Sequence, residues 1–234
     1  MASFFVSDLH LFSSRSKAHE HMVEIHEAAA TGEHLILGGD IFDFRWASCG
    51  EDVAIDAAVE WLQTLLAESD TCRIHYVLGN HDHHHKLLPR LAELADALDR
   101  FQWHEAYVRI DSSVFLHGDV AERKMTAGQL HALRARWAEK HAPRPVWLNH
   151  LYDLVVASRI HRALPLIFHP PRLIAERLLH YLSEIGEGPK TGLQHVYFGH
   201  THSEMTDYRY GGVMFHNCGA TIHGLNFRVV KTRL

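Results

Sequence analysis

The sequence predicts an α/β layered fold that carries a helical insertion. Strand-like and helix-like segments alternate over the first half of the chain, which is typical of layered α/β proteins. Short motifs rich in Asp, His, Asn and Gly follow the predicted strands directly, where ligands bind in open α/β sheets. Between residues 120 and 190 helical patterns broken by prolines replace the strands. The length of 234 residues fits one domain with such an insertion.

Short apolar runs define the predicted strands. Before the insertion they lie at residues 3–6, 35–37, 74–78, 106–110 and 114–116. After it they lie at residues 195–198, 206–210, 213–216 and 227–231. Gly211 and Gly212 predict a hairpin turn between two of the later strands.

Apolar residues at helical spacing define the predicted helices. Outside the insertion they span residues 18–30, 53–68 and 87–98, and inside it residues 126–141, 146–163 and 172–187. Gly32 is the expected C′ residue, just beyond the end of the first helix. We therefore divide the chain into a body, residues 1–119 and 191–234, and a helical cap insertion, residues 120–190.

The insertion differs from the body in charge. It has 11 Lys and Arg against 6 Asp and Glu, a net charge of +5, whereas the body has 12 against 22, a net charge of −10. A basic insertion on an acidic body predicts that the insertion handles an anionic ligand. Its many apolar residues either form its own core and docking surface, or line a groove for an acyl chain or press on a membrane.

Composition limits the class of protein. No apolar run is long enough to cross a bilayer and the chain start lacks the pattern of a signal peptide, so we expect a cytoplasmic protein. Three widely separated cysteines predict no disulfide framework and a reducing environment. The net charge of −5, without an extended basic and aromatic pattern, argues against nucleic acid as a partner. Histidine is abundant, at 23 residues, which leaves a histidine-rich metal buffer as an alternative.

Five short motifs contain metal ligands and no thiolate. They are Asp8-Leu9-His10, Gly38-Gly39-Asp40, Gly79-Asn80-His81-Asp82, His117-Gly118-Asp119 and Gly199-His200-Thr201-His202. Carboxylates, an amide oxygen and imidazoles suit Mn²⁺, Fe or Zn²⁺. A two-metal hydrolase needs an anionic ligand that bridges the ions, and Asp40 on its glycine turn is the expected bridge. The other predicted ligands are Asp8, His10, Asn80, His117, His200 and His202.

In this order the motifs resemble the calcineurin-like metallophosphoesterase superfamily. The resemblance covers nearly the whole chain outside the insertion and implies a β-sandwich flanked by helices, with two divalent cations. It implies one ion held by Asp8, His10, Asp40 and His202, and a second held by Asp40, Asn80, His117 and His200.

Two segments depart from the pattern of that superfamily. Residues 217–220 resemble its Asn-Pro-Gly-Ser element, with Cys218 and Ala220 as the departures, and we expect this stretch to be structural. Phe44 stands where the protein phosphatases of the superfamily have an arginine, which argues against a phosphoprotein substrate.

The predicted site implies hydrolysis of a phosphoric ester or anhydride by a metal-activated hydroxide. His81 follows a predicted ligand, so we expect it to protonate the leaving oxygen or to stabilise phosphoryl charge. Asp82 is the candidate that orients His81 or a ligand imidazole by a hydrogen bond. Asp43 and Asp119 are further candidates for that role, or are turn and cap residues.

Two basic residues begin the insertion just after His117. Arg123 and Lys124 either bind a second phosphate of the substrate or form a solvated charged pair.

The insertion and the start Asp8-Leu9-His10-Leu11 resemble one subfamily, the UDP-2,3-diacylglucosamine hydrolases of lipid A synthesis. This resemblance implies a pyrophosphate substrate cleaved at the cytoplasmic membrane face, with Mn²⁺ as the metal and peripheral contact of the cap with the membrane. His81 stands where well-known members have arginine. The alternatives are a phosphodiesterase or nucleotide phosphatase acting on a soluble substrate, and a non-catalytic scaffold of the same fold.

Overall fold

Two five-stranded sheets face each other in the computed structural model, which describes residues 2–138 and 170–234. The first sheet contains β1 (Ala2–Val6), β2 (Gly32–Leu37), β3 (Arg73–Val77), β4 (Phe101–His104) and β10 (Val230–Lys231), in the order β10-β1-β2-β3-β4. The second contains β5 (Tyr107–Ile110), β6 (Ser113–Leu116), β7 (His195–Phe198), β8 (Met205–Tyr210) and β9 (Val213–Asn217), in the order β5-β6-β7-β9-β8.

Helical connections join the parallel strands β1 to β4, as parallel pairing requires. They are α1 (Met22–Thr31), α2 (Glu51–Ala67) and α3 (Leu87–Ala97). Two further helices, α4 (Ala127–Ala138) and α5 (Pro171–Glu184), belong to the predicted insertion. The predicted helix at residues 146–163 lies outside the described residues.

Three hydrophobic cores hold these layers together. Phe5, Ile36 and Phe115 pack between the sheets. The helices α1, α2 and α3 cover the outer face of the first sheet. On the second sheet, Leu178 of α5 shares a core with Phe215 of β9. The expected β-sandwich flanked by helices is therefore confirmed.

The described parts of the insertion contribute to the body's own packing. Side chains of α4 and α5 lie in the same core as strands β6, β7 and β9. The apolar residues Ile174, Leu178 and Leu182 of α5 are buried there. These three side chains therefore pack in the core and do not line an open groove. The division of the chain at residues 120 and 190 stays a prediction.

Several local predictions need correction. Gly32 is extended, with φ −78°, because β2 begins at that residue with no intervening loop. The first helical segment starts as a 3-10 turn over Ala18–His21. Strand β4 was not predicted, because its four residues carry too short a pattern. The last strand is limited to Val230–Lys231.

The hairpin prediction agrees with the structure. Strands β8 and β9 pair in antiparallel fashion, and both residues of the turn, Gly211 and Gly212, have positive φ angles. Among the described residues, no helix is both long and apolar enough to cross a membrane.

Candidate metal centre

The five motifs meet at one end of the sandwich, just past the ends of β1, β2, β3, β6 and β7. Non-glycine residues there adopt the left-handed backbone conformation, which costs of order 1–3 kcal/mol each and clusters at functional sites. These residues are Asp8 (φ 53°), His10 (φ 47°), Asp40 (φ 51°), His200 (φ 65°) and His202 (φ 53°).

Asp8, His10 and His202 form the first group of candidate ligands. His202 Nε2 lies 3.3 Å from Asp8 Oδ1 and 3.1 Å from His10 Nε2. Asp8 is fully buried and accepts hydrogen bonds from the Ser7 hydroxyl at 2.6 Å and the His200 backbone N–H at 3.0 Å. These bonds fix the carboxylate toward the two imidazoles.

The second group contains Asp40, Asn80, His117 and His200. His117 Nε2 lies 3.3 Å from Asp40 Oδ2 and 3.1 Å from Asn80 Oδ1. His200 Nδ1 lies 3.0 Å from Asn80 Oδ1 and 3.2 Å from His117 Nε2. Asp40 also lies in a cluster with His10 and His81, so it adjoins both groups.

A hydrogen bond on the far side of the His117 imidazole indicates that a cation fits here. His117 Nδ1 lies 3.1 Å from the carbonyl oxygen of Gly38, which can only accept, so Nδ1 carries a proton. In neutral His117 the Nε2 lone pair then points at the oxygens of Asp40 and Asn80. Several acceptors directed at one another are favourable only around a positive charge, and divalent cations supply it.

The pKa values of the buried groups show the same concentration of negative charge. Burial lowers the pKa of His117, but the carboxylate of Asp40 outweighs it and raises the pKa to about 10. Burial raises the pKa of Asp40, yet the imidazoles of His117 and His81 hold it well below the usual range. A bound divalent cation would stabilise the carboxylate and favour the neutral imidazole.

Asp43, rather than Asp82, orients His81. His81 Nδ1 lies 3.0 Å from Asp43 Oδ1, and the other oxygen of Asp43 lies 3.7 Å from His10 Nδ1. The carboxylates of Asp43 and Asp40 overcome burial and raise the pKa of His81 to about 10. With Nδ1 engaged, the Nε2 side of the ring lies toward Asp40, at 4.0 Å from its carboxylate.

The expectation that Asp82 orients an imidazole is wrong. Its carboxylate accepts backbone N–H groups of Phe42 at 2.9 Å and Ile41 at 3.2 Å. Asp82 thus holds the turn that carries Asp40. Burial, with the nearby Asp40 charge, raises the pKa of Asp82 to about 7.

Two carboxylates lie at the boundary between the body and the predicted insertion. Glu122 Oε1 lies 3.1 Å from His200 Nε2, on the side of the ring opposite Asn80. Asp119 pairs with the buried Arg134 of α4 at 2.5 Å. Arg134 overcomes the effect of burial and lowers the pKa of Asp119 to about 2.

Arg123 and Lys124, the two predicted substrate-binding residues, differ in their surroundings. Lys124 pairs with Glu176 of α5 at 2.8 Å, and Arg123 is exposed.

Sequence reasoning overlooked a different group beside His81. The Arg45 guanidinium lies over the rings of Trp46 and Trp137, and Trp137 also contacts His81. Tryptophan next to arginine after Asp43 was the available signal.

The 217–220 segment has the structural role expected of it. The Asn217 side chain donates to the carbonyl of Gly199 at 3.0 Å and to the Thr201 hydroxyl at 3.2 Å. Its side-chain oxygen Oδ1 accepts the Gly219 backbone N–H at 2.8 Å. Asn217 therefore fixes the turn that presents His200 and His202.

Comparison with known proteins agrees with this geometry. The model of the calcineurin-like phosphoesterase family matches residues 1–204. The match spans most of the sequence, so the chain belongs to the calcineurin-like phosphoesterase family. It is a metal-dependent phosphoesterase whose candidate ligands lie in adjoining groups.

Among solved structures, a dimetal phosphatase from Danio rerio is similar at 12% sequence identity and a TM-score of 0.44. The alignment covers 99% of this chain and 92% of that one. A search of curated proteins found no match.

Proposed function

We propose that this phosphoesterase uses two divalent cations to hydrolyse a diphosphate linkage, in a substrate of the UDP-2,3-diacylglucosamine class. The observation that carries the two-metal part is the convergence of Asp8, His10 and His202 next to Asp40, His117 and His200. The diphosphate and lipid part is supported by the basic, apolar insertion and by the Asp8-Leu9-His10-Leu11 start. The absence of thiolates from the five motifs suits Mn²⁺, Fe or Zn²⁺, and the resemblance to the UDP-2,3-diacylglucosamine hydrolases favours Mn²⁺ among them.

The metal ions and the side chains have separate chemical roles. When bound, the two cations supply Lewis-acid stabilisation of the phosphoryl oxygens and a water of lowered pKa. Asp40 adjoins both groups of candidate ligands and would contribute a carboxylate oxygen to each ion site. His81, fixed at Nδ1 by Asp43, directs its other nitrogen toward the same space and donates to the leaving or phosphoryl oxygen.

Substitution of His81 tests this assignment. We expect His81→Ala to lower turnover by about 100-fold or more, because a positioned donor contributes roughly that factor. Both metals should stay bound, since the two groups of candidate ligands remain complete without His81. Asp40→Ala is the comparison, and it should lose metal and activity together. Turnover assays combined with metal analysis distinguish the two variants, and unchanged turnover in His81→Ala would contradict the role of His81.

A phosphodiesterase or nucleotide phosphatase on a soluble substrate is the second candidate. It is favoured by the burial of Ile174, Leu178 and Leu182 in the core of the second sheet, where they are not free to hold an acyl chain. Hydrolysis rates on UDP-2,3-diacylglucosamine, bis-p-nitrophenyl phosphate and nucleotides separate the candidates. A preference for the soluble esters would exclude the lipid-linked substrate.

The metal-buffer alternative predicts more than two ions per chain. Glu51, His84 and His85 form a further cluster of possible ligands. However, His84 Nδ1 accepts the Lys86 backbone N–H at 3.2 Å, so its Nε2 carries the proton and faces Glu51 at 2.9 Å. We therefore expect two ions per chain, measurable by elemental analysis of the purified protein.

A further inference from the structure

We propose that Arg45 binds the phosphate that is not cleaved, so that the substrate is a diphosphate ester rather than a monoester. This inference rests on the proposed function, because it assigns a second anionic group to the substrate of the same site. It is carried by the position of the Arg45 guanidinium between two indole rings beside His81.

The loop of Arg45 is attached directly to the metal centre. Asp43 Oδ1 accepts both the His81 imidazole N–H, at 3.0 Å, and the Trp46 backbone N–H, at 3.1 Å. Asp43 is buried, with 3% of its surface exposed. The carboxylate that orients His81 therefore also fixes the turn that presents Arg45.

Two indole rings hold the guanidinium in place. Arg45 Cζ lies 5.2 Å from the ring centre of Trp137 and 6.0 Å from that of Trp46. The Trp137 ring centre lies 6.2 Å from that of His81. Contact with aromatic faces positions a guanidinium while leaving its N–H edge able to bind an anion.

Arg45 differs in its partners from three other cations of the molecule. Arg134 pairs with Asp119, Lys124 with Glu176, and Lys86 with Glu51 and Asp52. Arg45 makes no ion pair with a described carboxylate. Its Nε is buried and has no hydrogen-bond partner among the described residues.

A buried donor without a partner destabilises the protein, and a bound anion would satisfy it. The planar guanidinium fork fits the two oxygens of a phosphate. The cations of the metal centre would hold the phosphate that is cleaved. An arginine to one side of them suits a second phosphate, as in a diphosphate ester.

Binding of two stable phosphonates to the Mn²⁺-loaded protein tests this inference. Methylenediphosphonate carries two anionic groups and methylphosphonate carries one. We expect Arg45→Gln to weaken the binding of methylenediphosphonate about 10-fold, as loss of one charged hydrogen bond implies. The affinity for methylphosphonate should stay within about twofold of the wild-type value. Arg45→Lys should fall between, because it keeps the charge and loses the fork. Isothermal titration calorimetry measures both affinities.

Arg136→Gln is the matched control, since Arg136 is exposed on α4 next to Trp137 and donates to the Ala132 carbonyl. It should bind both phosphonates as the wild type does. The inference is overturned if Arg45→Gln keeps its affinity for methylenediphosphonate, or loses affinity for both ligands equally. Circular dichroism checks that each variant is folded. A wild-type protein that binds both phosphonates but hydrolyses no ester or anhydride would contradict the proposed function instead, and would leave the role of Arg45 standing.

Discussion

At the scale of single residues, the partner on the far side of an imidazole decides what its near side can bind. His200 shows this clearly. Its Nε2 lies 3.1 Å from Glu122, so Nε2–H donates to that carboxylate. Nδ1 then offers a lone pair next to Asn80 and His117. A carboxylate in this position fixes the tautomer and makes the imidazole a stronger ligand.

Replacement of Glu122 should therefore weaken metal binding. We expect Glu122→Gln to lower the affinity for the ion that His200 is predicted to bind by about 10-fold, the lower end of the range for such carboxylates. Competition with a fluorescent chelator measures the affinity without requiring activity. Glu176→Gln is the control, because Glu176 pairs with nearby Lys124 and touches no candidate ligand in the described structure. Equal affinities in the two variants would show that Glu122 does not support His200.

At the scale of elements, the turns after the strands bring the candidate ligands together. These turns are tightly packed, and Gly79 is an example. It lies two residues beyond Val77, the last residue of β3, and a Cβ at this position would overlap the carboxylate and the backbone nitrogen of Asp40. The backbone of the turn that carries Asn80 thus lies against Asp40, the predicted bridging ligand.

We expect Gly79→Ala to displace Asp40 and to lower metal occupancy below one ion per chain, while the helices and sheets remain. Elemental analysis and circular dichroism measure the two effects. Gly128→Ala is the contrasting variant, because open space surrounds Gly128 in α4. It should keep both ions and gain up to about 1 kcal/mol in free energy of unfolding. Full metal occupancy in Gly79→Ala would refute the proposed packing.

At the scale of the whole molecule, five of the 23 histidines lie on the inner faces of the two sheets. His34, His75 and His104 form a hydrogen-bonded row across the first sheet, at 3.0 and 3.3 Å. His195 and His216 form a pair across the second, at 3.0 Å. Burial and the neighbouring imidazoles lower the pKa of His75 to about 3 and that of His216 to about 4.

These pKa values predict that stability is lost in weak acid. Both histidines bind protons more readily in the unfolded chain, near pH 6.5, than in the folded protein. Stability is therefore complete above about pH 7 and declines as the pH falls from about 6.5 toward about 4. At pH 5 each histidine should cost roughly 2 kcal/mol.

Urea unfolding of the metal-free protein at pH 7.5 and pH 5 measures this loss. Removing the metal first excludes the effect of ligand release. His75→Leu should show a smaller drop between the two pH values than the wild type. The same drop in both proteins would rule out His75 as a source of the acid sensitivity.

The sequence by itself determined the layered α/β class, the order of most strands and the seven candidate ligands. It could do so because buried strands and metal motifs are local patterns, in which adjacent residues carry the signal. The order of these motifs, Asp40, Asn80, His117 and His200, can be recognised from the sequence alone. Their role as ligands stays a prediction that metal analysis tests.

Only the tertiary structure decided which carboxylate contacts which imidazole. Asp43 contacts His81 from 38 positions away along the chain, while the adjacent Asp82 turns to backbone N–H groups. Glu122 contacts His200 and Arg45 contacts Trp137 across still longer separations along the chain. Such pairs depend on how the layers pack and on which donors burial leaves unsatisfied, and neither property is encoded in a short stretch of sequence.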